Sequence, residues 1–243
     1  MLSGFDGDES NGACCPALAR RLGWWRAAQS PSFAVVLFEG FELLDVFGPV
    51  ELLSVLPDDF TIVMLGPTGE PVASHQGTRI VPDTAYTAAP AADIVLGPGG
   101  FGTRPLVTEA GFLTWLRDYC AGAEVVASVC TGSALLAAAG LLDGHRATTN
   151  KRAYSWVTGF GRDVDWQPVA RWVEDGSRWT SSGVAAGMDM TAALISALTS
   201  PEHAREACDF VELDVHTDPG WDPFAARNGL VPDTGDHRLG DGS

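Results

Sequence analysis

The stretch Glu124-Val125-Val126-Ala127-Ser128-Val129-Cys130-Thr131-Gly132-Ser133-Ala134-Leu135-Leu136 constrains this chain more than any other. A short apolar run, the mark of a strand buried on both faces, stops at a cysteine, and a helix-forming run begins at once. That order is the grammar of a nucleophile elbow, in which one reactive residue sits on a sharp turn between a strand and a helix. The turn pushes the sulfur out of the sheet. The helix N-terminus behind it presents unpaired N–H groups and the positive end of a dipole. Both favour the thiolate, the nucleophilic form of cysteine. Cys130 is the expected nucleophile.

The elements around the elbow alternate. Phe33–Phe38 reads as a buried strand ending in Glu39-Gly40. A helix is expected within Leu43–Leu56, starting around Gly48-Pro49, with proline near its first turn. Phe60–Leu65 is a second strand, residues 72–82 a small hairpin, and Ile94–Gly97 a third buried strand ending in Pro98-Gly99-Gly100. A helix over 109–121 leads to the elbow strand at 124–129. The elbow helix is expected over 131–142, closed by Asp143-Gly144. A brief strand at 147–149, a helix over 151–157, a hairpin turning at Asp175-Gly176 and helices at 187–198 and 201–213 complete the pattern. This predicts an α/β fold: a three-layer sandwich with a mostly parallel sheet, flavodoxin-like, carrying a nucleophile elbow. Sites in such folds lie at the carboxyl ends of the strands. Glu39-Gly40, Gly97–Gly100 and Cys130 should converge there. The backbone N–H groups of Gly100 and Thr131 are expected to stabilise developing negative charge, and the Gly99-Gly100 pair suits that turn, because glycine lets backbone approach a substrate closely.

Three segments follow: a leader over 1–31, a catalytic domain over 32–216, and an acidic Gly/Pro-rich tail over 217–243. The 243 residues are 46% hydrophobic, enough for one sizeable core. Against 31 acidic residues stand 15 basic ones, a net charge of −16. That balance argues against nucleic acid and anionic membranes as partners, and no apolar run is long enough to span a bilayer. The acidic N-terminus is not a secretory signal, so a cytoplasmic protein is expected. Cys14, Cys15, Cys120, Cys130 and Cys208 are irregularly spaced with no CxxC pair, so neither a zinc site nor a disulfide framework is expected.

Four blocks in order are Leu44-Asp45-Val46-Phe47-Gly48-Pro49, Gly97–Gly100, Ser128–Gly132 and Ser182-Gly183-Val184-Ala185-Ala186-Gly187-Met188-Asp189. With them the chain resembles the ThiJ/PfpI superfamily, relatives of class I glutamine amidotransferases, from about Phe33 to Leu213. Within it the blocks look most like the isonitrile hydratase branch. The resemblance implies a cofactor-independent, metal-free lyase acting on a small molecule, a homodimer, and a site of Asp45, Cys130 and Thr131. The Thr131 hydroxyl either contacts substrate or caps the helix. Many relatives carry a histidine after the Thr-Thr pair that follows the elbow helix. Here Asn150 stands there, and an amide can neither act as a base nor carry charge. That weakens protease and amidase readings, which need a base to protonate a leaving amine. It leaves Asn150 as a pocket residue. Asp189 reads as a helix cap, and Trp156, Phe160 and Trp166 as an apolar wall or ordinary core.

The lead expectation is hydration of an isonitrile to an N-substituted formamide, with Cys130 as nucleophile and Asp45 as acid/base. Alternatives are glyoxalase- or deglycase-type chemistry on α-oxoaldehydes, a biosynthetic step on a larger substrate, and a cysteine redox sensor. A transcription regulator is disfavoured, because the residues after Leu213 are too few and too acidic for a helix-turn-helix domain.

Overall fold

The computed structural model of the protein describes residues 30–231. The expected leader up to residue 29, with Cys14, Cys15 and the Trp24-Trp25 pair, lies outside the described residues, as does His237.

The central strands are β1 (Ser32–Val36), β6 (Ile94–Gly97) and β7 (Val125–Ser128). All but Ser32 in these strands are buried, which is why they read as continuous apolar runs rather than alternating ones. On one side β2 (Thr61–Gly66) and β5 (Thr84–Ala85) extend the sheet. On the other stand β11 (Arg178–Ser181) and β10 (Trp172–Asp175). The seven-stranded order is β10-β11-β7-β6-β1-β2-β5, and every pairing is parallel except β10 with β11. That hairpin turns at Gly176 with φ +62°. A second hairpin joins β3 (Val72–Ala73) and β4 (Arg79–Ile80), and β8 (Arg146–Ala147) pairs with β9 (Asp165–Trp166).

Chain order now fixes where a site forms. From β1 the chain crosses through α1 (Leu43–Ser54) to β2 on one side. From β6 it crosses through α2 (Thr103–Leu106) and α3 (Ala110–Cys120) to β7 on the other. Right-handed crossovers in opposite directions place their helices on opposite faces, and a crevice opens between β1 and β6 at their carboxyl ends. The elbow helix α4 (Gly132–Ala138) packs with α2 and α3. α1 packs against α6 (Ala186–Leu198), and α6 against α7 (Pro201–Phe210). Between them α5 (Tyr154–Val157) follows the Asn150 turn.

Three elements depart from expectation. α1 is helical from Leu43, the outer bound of the expected span, so Pro49 lies inside the helix rather than near its first turn. The cost is one missing N–H opposite the Asp45 carbonyl. The gain is that Asp45 becomes a first-turn residue. α4 ends at Ala138, not Leu142. Gly140 has φ +77°, its N–H bonds Ala137 O at 3.0 Å, and Leu141 N–H bonds Leu136 O at 2.9 Å, the two bonds of a Schellman stop. Finally, the segment from 217 that reads as a tail is folded against the body as far as residue 231. Arg171 N–H donates to Pro219 O at 2.8 Å, Asp222 is buried, and α8 (Phe224–Arg227) forms there. Its burial depends on Arg171, whose guanidinium also pairs with Asp189 at 2.6 Å, and local composition carries no sign of such a partner.

Candidate active site

Cys130 sits between β7 and α4 with φ +57°, a conformation L-residues rarely adopt. Surrounding bonds over-determine it. Its N–H donates to Ser182 O at 3.1 Å, and its carbonyl accepts from Thr149 Oγ1 at 2.9 Å and Ser133 Oγ at 3.1 Å. The turn is tight because the helix start crosses β6 at contact distance. A Cβ at Gly132 would lie 2.1 Å from Gly97 O.

The sulfur is nearly sealed, the residue being 6% exposed. Asn150 Nδ2 donates to Sγ at 3.2 Å, and the backbone N–H groups of Thr131 and Val184 also face it. The amide orientation is fixed from its other end, since Asn150 Oδ1 accepts from Ala153 N–H at 3.0 Å. Even so, burial pushes the thiol well above its ordinary range, and the neighbouring Asp45 charge adds to this. The three N–H donors oppose without winning. The expectation of a resting thiolate set by the helix N-terminus is therefore corrected. Desolvation outweighs the dipole, and the resting form is the thiol.

Asp45 is fully buried at the start of α1. Oδ2 accepts from Gly99 N–H at 2.8 Å, and Oδ1 has no aligned partner. Burial raises this carboxyl from 3.8 to about 7. The Gly99 N–H opposes, the Glu42 charge adds a little, and the adjacent Cys130 thiol lowers it slightly. A group balanced near neutrality beside a nucleophile is suited to carry protons both ways.

Gly99 is required by close approach. A Cβ there would stand 2.6 Å from Thr131 N, 2.8 Å from Asp45 Oδ2 and 2.8 Å from Cys130 Cβ. Its N–H, however, serves Asp45, and that of Gly100 donates to Thr131 Oγ1 at 3.1 Å. Neither glycine presents a free donor, which corrects the expected oxyanion role. Both are struts. Thr131 does not cap α4 with its side chain. Its hydroxyl also accepts from Thr103 Oγ1 at 3.2 Å, so it ties the β6 turn to the elbow. The free-standing donors at the sulfur are Thr131 N–H, Val184 N–H and the Asn150 amide.

None of the described histidines enters this cluster. His145 pairs with Asp175 and His203 with Asp59. His216 N–H donates to Asp189, and His75 packs tilted against Phe101. Asp189, expected as a helix cap, instead binds Arg171 and the His216 backbone and clasps the C-terminal segment. Trp156 and Phe160 form an edge-to-face pair.

Two contributors escape sequence reasoning. Val184 holds its N–H toward the sulfur at φ +39°, an outlier for a β-branched residue. Its neighbour Gly183 leaves room for Asn150, since a Cβ there would lie 2.4 Å from Nδ2. Lys151 is buried behind the loop and donates to Thr148 Oγ1 at 2.7 Å and to Ala170 O. Burial lowers it to about 8. Among the described residues no group of His, Cys, Asp or Glu is arranged to hold a metal, and no helix is long and apolar enough to cross a membrane.

The DJ-1/PfpI family profile matches residues 31–197. The chain is 34% identical over 200 residues to isonitrile hydratase of Pseudomonas putida, covering 82% of each. It is 30% identical to the HTH-type transcriptional regulator CdhR of Pseudomonas aeruginosa over 72% of this chain but only 53% of the regulator. Among solved structures, a ThiJ/PfpI family protein from Pseudomonas syringae superposes with a TM-score of 0.72 at 29% identity, covering 83% of this chain and 84% of that one.

Proposed function

This chain belongs to the DJ-1/PfpI family, and we propose that it hydrates an isonitrile, R–N≡C, to the formamide R–NH–CHO. The observation that carries this is the buried pair. Asp45 lies against Cys130 with one carboxylate oxygen unpartnered, and an amide rather than an imidazole contacts the sulfur. The similarity to isonitrile hydratase supports the same choice. Chemistry that expels an amine needs a base that can also protonate the leaving group. Hydration of an isonitrile expels nothing.

The steps follow from a single shared proton. Above about pH 7 the pair holds one proton, as thiol and carboxylate. Asp45 draws that proton from sulfur and delivers it to the terminal isonitrile carbon as sulfur bonds to the same carbon. The product is the thioimidate R–N=CH–S–Cys130, with Asp45 again a carboxylate. Asp45 then takes a proton from water as the oxygen adds to that carbon, and passes it to nitrogen. Collapse breaks the C–S bond, forms the C=O bond and returns the hydroxyl proton to the pair. The Thr131 and Val184 N–H groups and the Asn150 amide hold the thiolate during its brief exposure.

The protein is read as a cytoplasmic homodimer acting on a small molecule, with its dimer state open to sedimentation or scattering measurement. The test of function is formamide formation from a simple alkyl isonitrile by wild type, Cys130→Ala and Asp45→Asn. Formamide from wild type alone is expected. No formamide from fully reduced wild type refutes the assignment.

A further inference from the structure

Arg104 is held by two aromatic rings, with no counter-ion among the described residues. Arg104 is an exposed residue of α2 whose guanidinium carbon lies 4.7 Å from the ring centroid of Trp156 and 5.1 Å from that of Phe101. Phe101 also packs against His75, with ring centroids 4.4 Å apart and planes tilted by 36°. The two rings come from two different segments tied to the Cys130 turn. Phe101 follows Gly100, whose N–H bonds Thr131, and Thr103 beside Arg104 donates to the same hydroxyl. Trp156 follows the Asn150 turn, joined to it through Ala153, whose N–H holds Asn150 Oδ1 and whose carbonyl accepts Trp156 N–H. Arg104 therefore links the segment tied to Thr131 with the segment that follows Asn150, and both of those residues contact the Cys130 turn.

The way it is held dictates what it can read. Two aromatic rings flank the guanidinium, which fixes the side chain at little cost in charge. The N–H groups along its edge donate to no acceptor among the described residues, and no carboxylate pairs with it there. In a chain with 31 acidic residues against 15 basic ones, an arginine steadied by rings and left without an acid is a poor stability device. It is a preorganised fork for a planar anion. Arg171, Arg117 and Arg205, by contrast, each have an acidic neighbour.

We infer that Arg104 is a substrate-binding residue that selects isonitriles bearing a carboxylate, with the apolar part of the molecule lying along Phe101 and Trp156. This rests on the isonitrile assignment of the Cys130 site and names its substrate class. A bidentate arginine–carboxylate pair at a half-exposed rim corresponds to about tenfold in affinity, set against the screening such pairs suffer in water.

The test compares 4-isocyanobenzoate with its methyl ester, which share one reacting group and differ in the anion. Wild type should favour the acid by about tenfold or more in kcat/KM, carried by KM. Arg104→Gln should bring the ratio to near one, and Arg104→Lys, which keeps the charge but not the fork, should restore it only in part. Equal turnover of acid and ester by wild type, or an unchanged ratio in Arg104→Gln, overturns the carboxylate site while leaving the hydratase assignment intact. If neither compound is hydrated, that assignment fails, and calorimetric titration with 4-formamidobenzoate and its methyl ester decides the subsite separately. Preference for the acid that Arg104→Gln abolishes sustains it, and no preference ends it.

Discussion

Replacing Asp45 with asparagine should remove a loss of stability that wild type suffers as pH rises, and the size of the effect follows from burial. In the folded protein the carboxyl is raised from 3.8 to about 7, chiefly because ionisation would leave a charge in a sealed site. The native state thus holds a proton that the unfolded chain gives up at lower pH. Stability is then fully present below about pH 4 and is lost as pH rises to about 7, flattening beyond. At ~1.36 kcal/mol per pH unit, the interval from 3.8 to about 7 amounts to about 4 kcal/mol. Asparagine nearly preserves shape and cannot ionise. Its amide loses some of the hydrogen bonding with Gly99 and Cys130, a constant offset of about 1–2 kcal/mol. The assay is urea denaturation of wild type and Asp45→Asn at intervals between pH 4 and 8. The variant should gain on wild type steadily up to about pH 7. A difference that stays flat across that range would refute the claim that desolvation governs this carboxyl.

The same ionisation should appear in catalysis: because the pair works with one proton, kcat/KM should rise through a single step near pH 7 and then level, and a profile falling through that region would contradict the shared-proton scheme. Gly99→Ala should cost at least about 100-fold in activity, because its Cβ would overlap Thr131 N and Asp45 Oδ2, measured as formamide production alongside a folded circular dichroism spectrum. Asn150→Asp replaces a donor to sulfur with an acceptor and should slow iodoacetamide labelling of Cys130 more than Asn150→Ala does, since a second carboxylate raises the thiol further. Gly140→Ala should destabilise by about 1 kcal/mol, from the positive φ of the helix stop alone, with thermal unfolding as the readout.

What the sequence disclosed and what it withheld divide along one physical line. The strands around Phe33, Ile94 and Val125 were legible because parallel strands buried on both faces write themselves as unbroken apolar runs. The elbow was legible because strand, cysteine and helix stand next to one another in the chain. The span of α1 from Leu43 was legible, but the place of Pro49 was not, because proline ordinarily marks a first turn and here it lies inside the helix. The end of α4 was misplaced because two glycines compete. Gly140 and Gly144 both take positive φ, and only the bonds to Leu136 and Ala137 show which one stops the helix. Val184 was invisible as a donor, since a backbone N–H leaves no mark in side-chain chemistry.

The thiol's protonation shows the same division at the site itself. Local order places a helix N-terminus behind Cys130 and argues for a thiolate. Tertiary burial, together with Asp45 brought in from α1, reverses that result. The reversal is useful to hydration. A resting thiolate would need a proton from elsewhere to form the new C–H bond at the isonitrile carbon. A thiol paired with a carboxylate near neutrality already stores that proton within the site. Burial, which a simple nucleophile would have to overcome, keeps the proton where the first bond is made. In the proposed hydration the absence of an imidazole from the sulfur then costs nothing, because Asp45 alone can carry the proton to carbon, recover one from water and pass it to nitrogen.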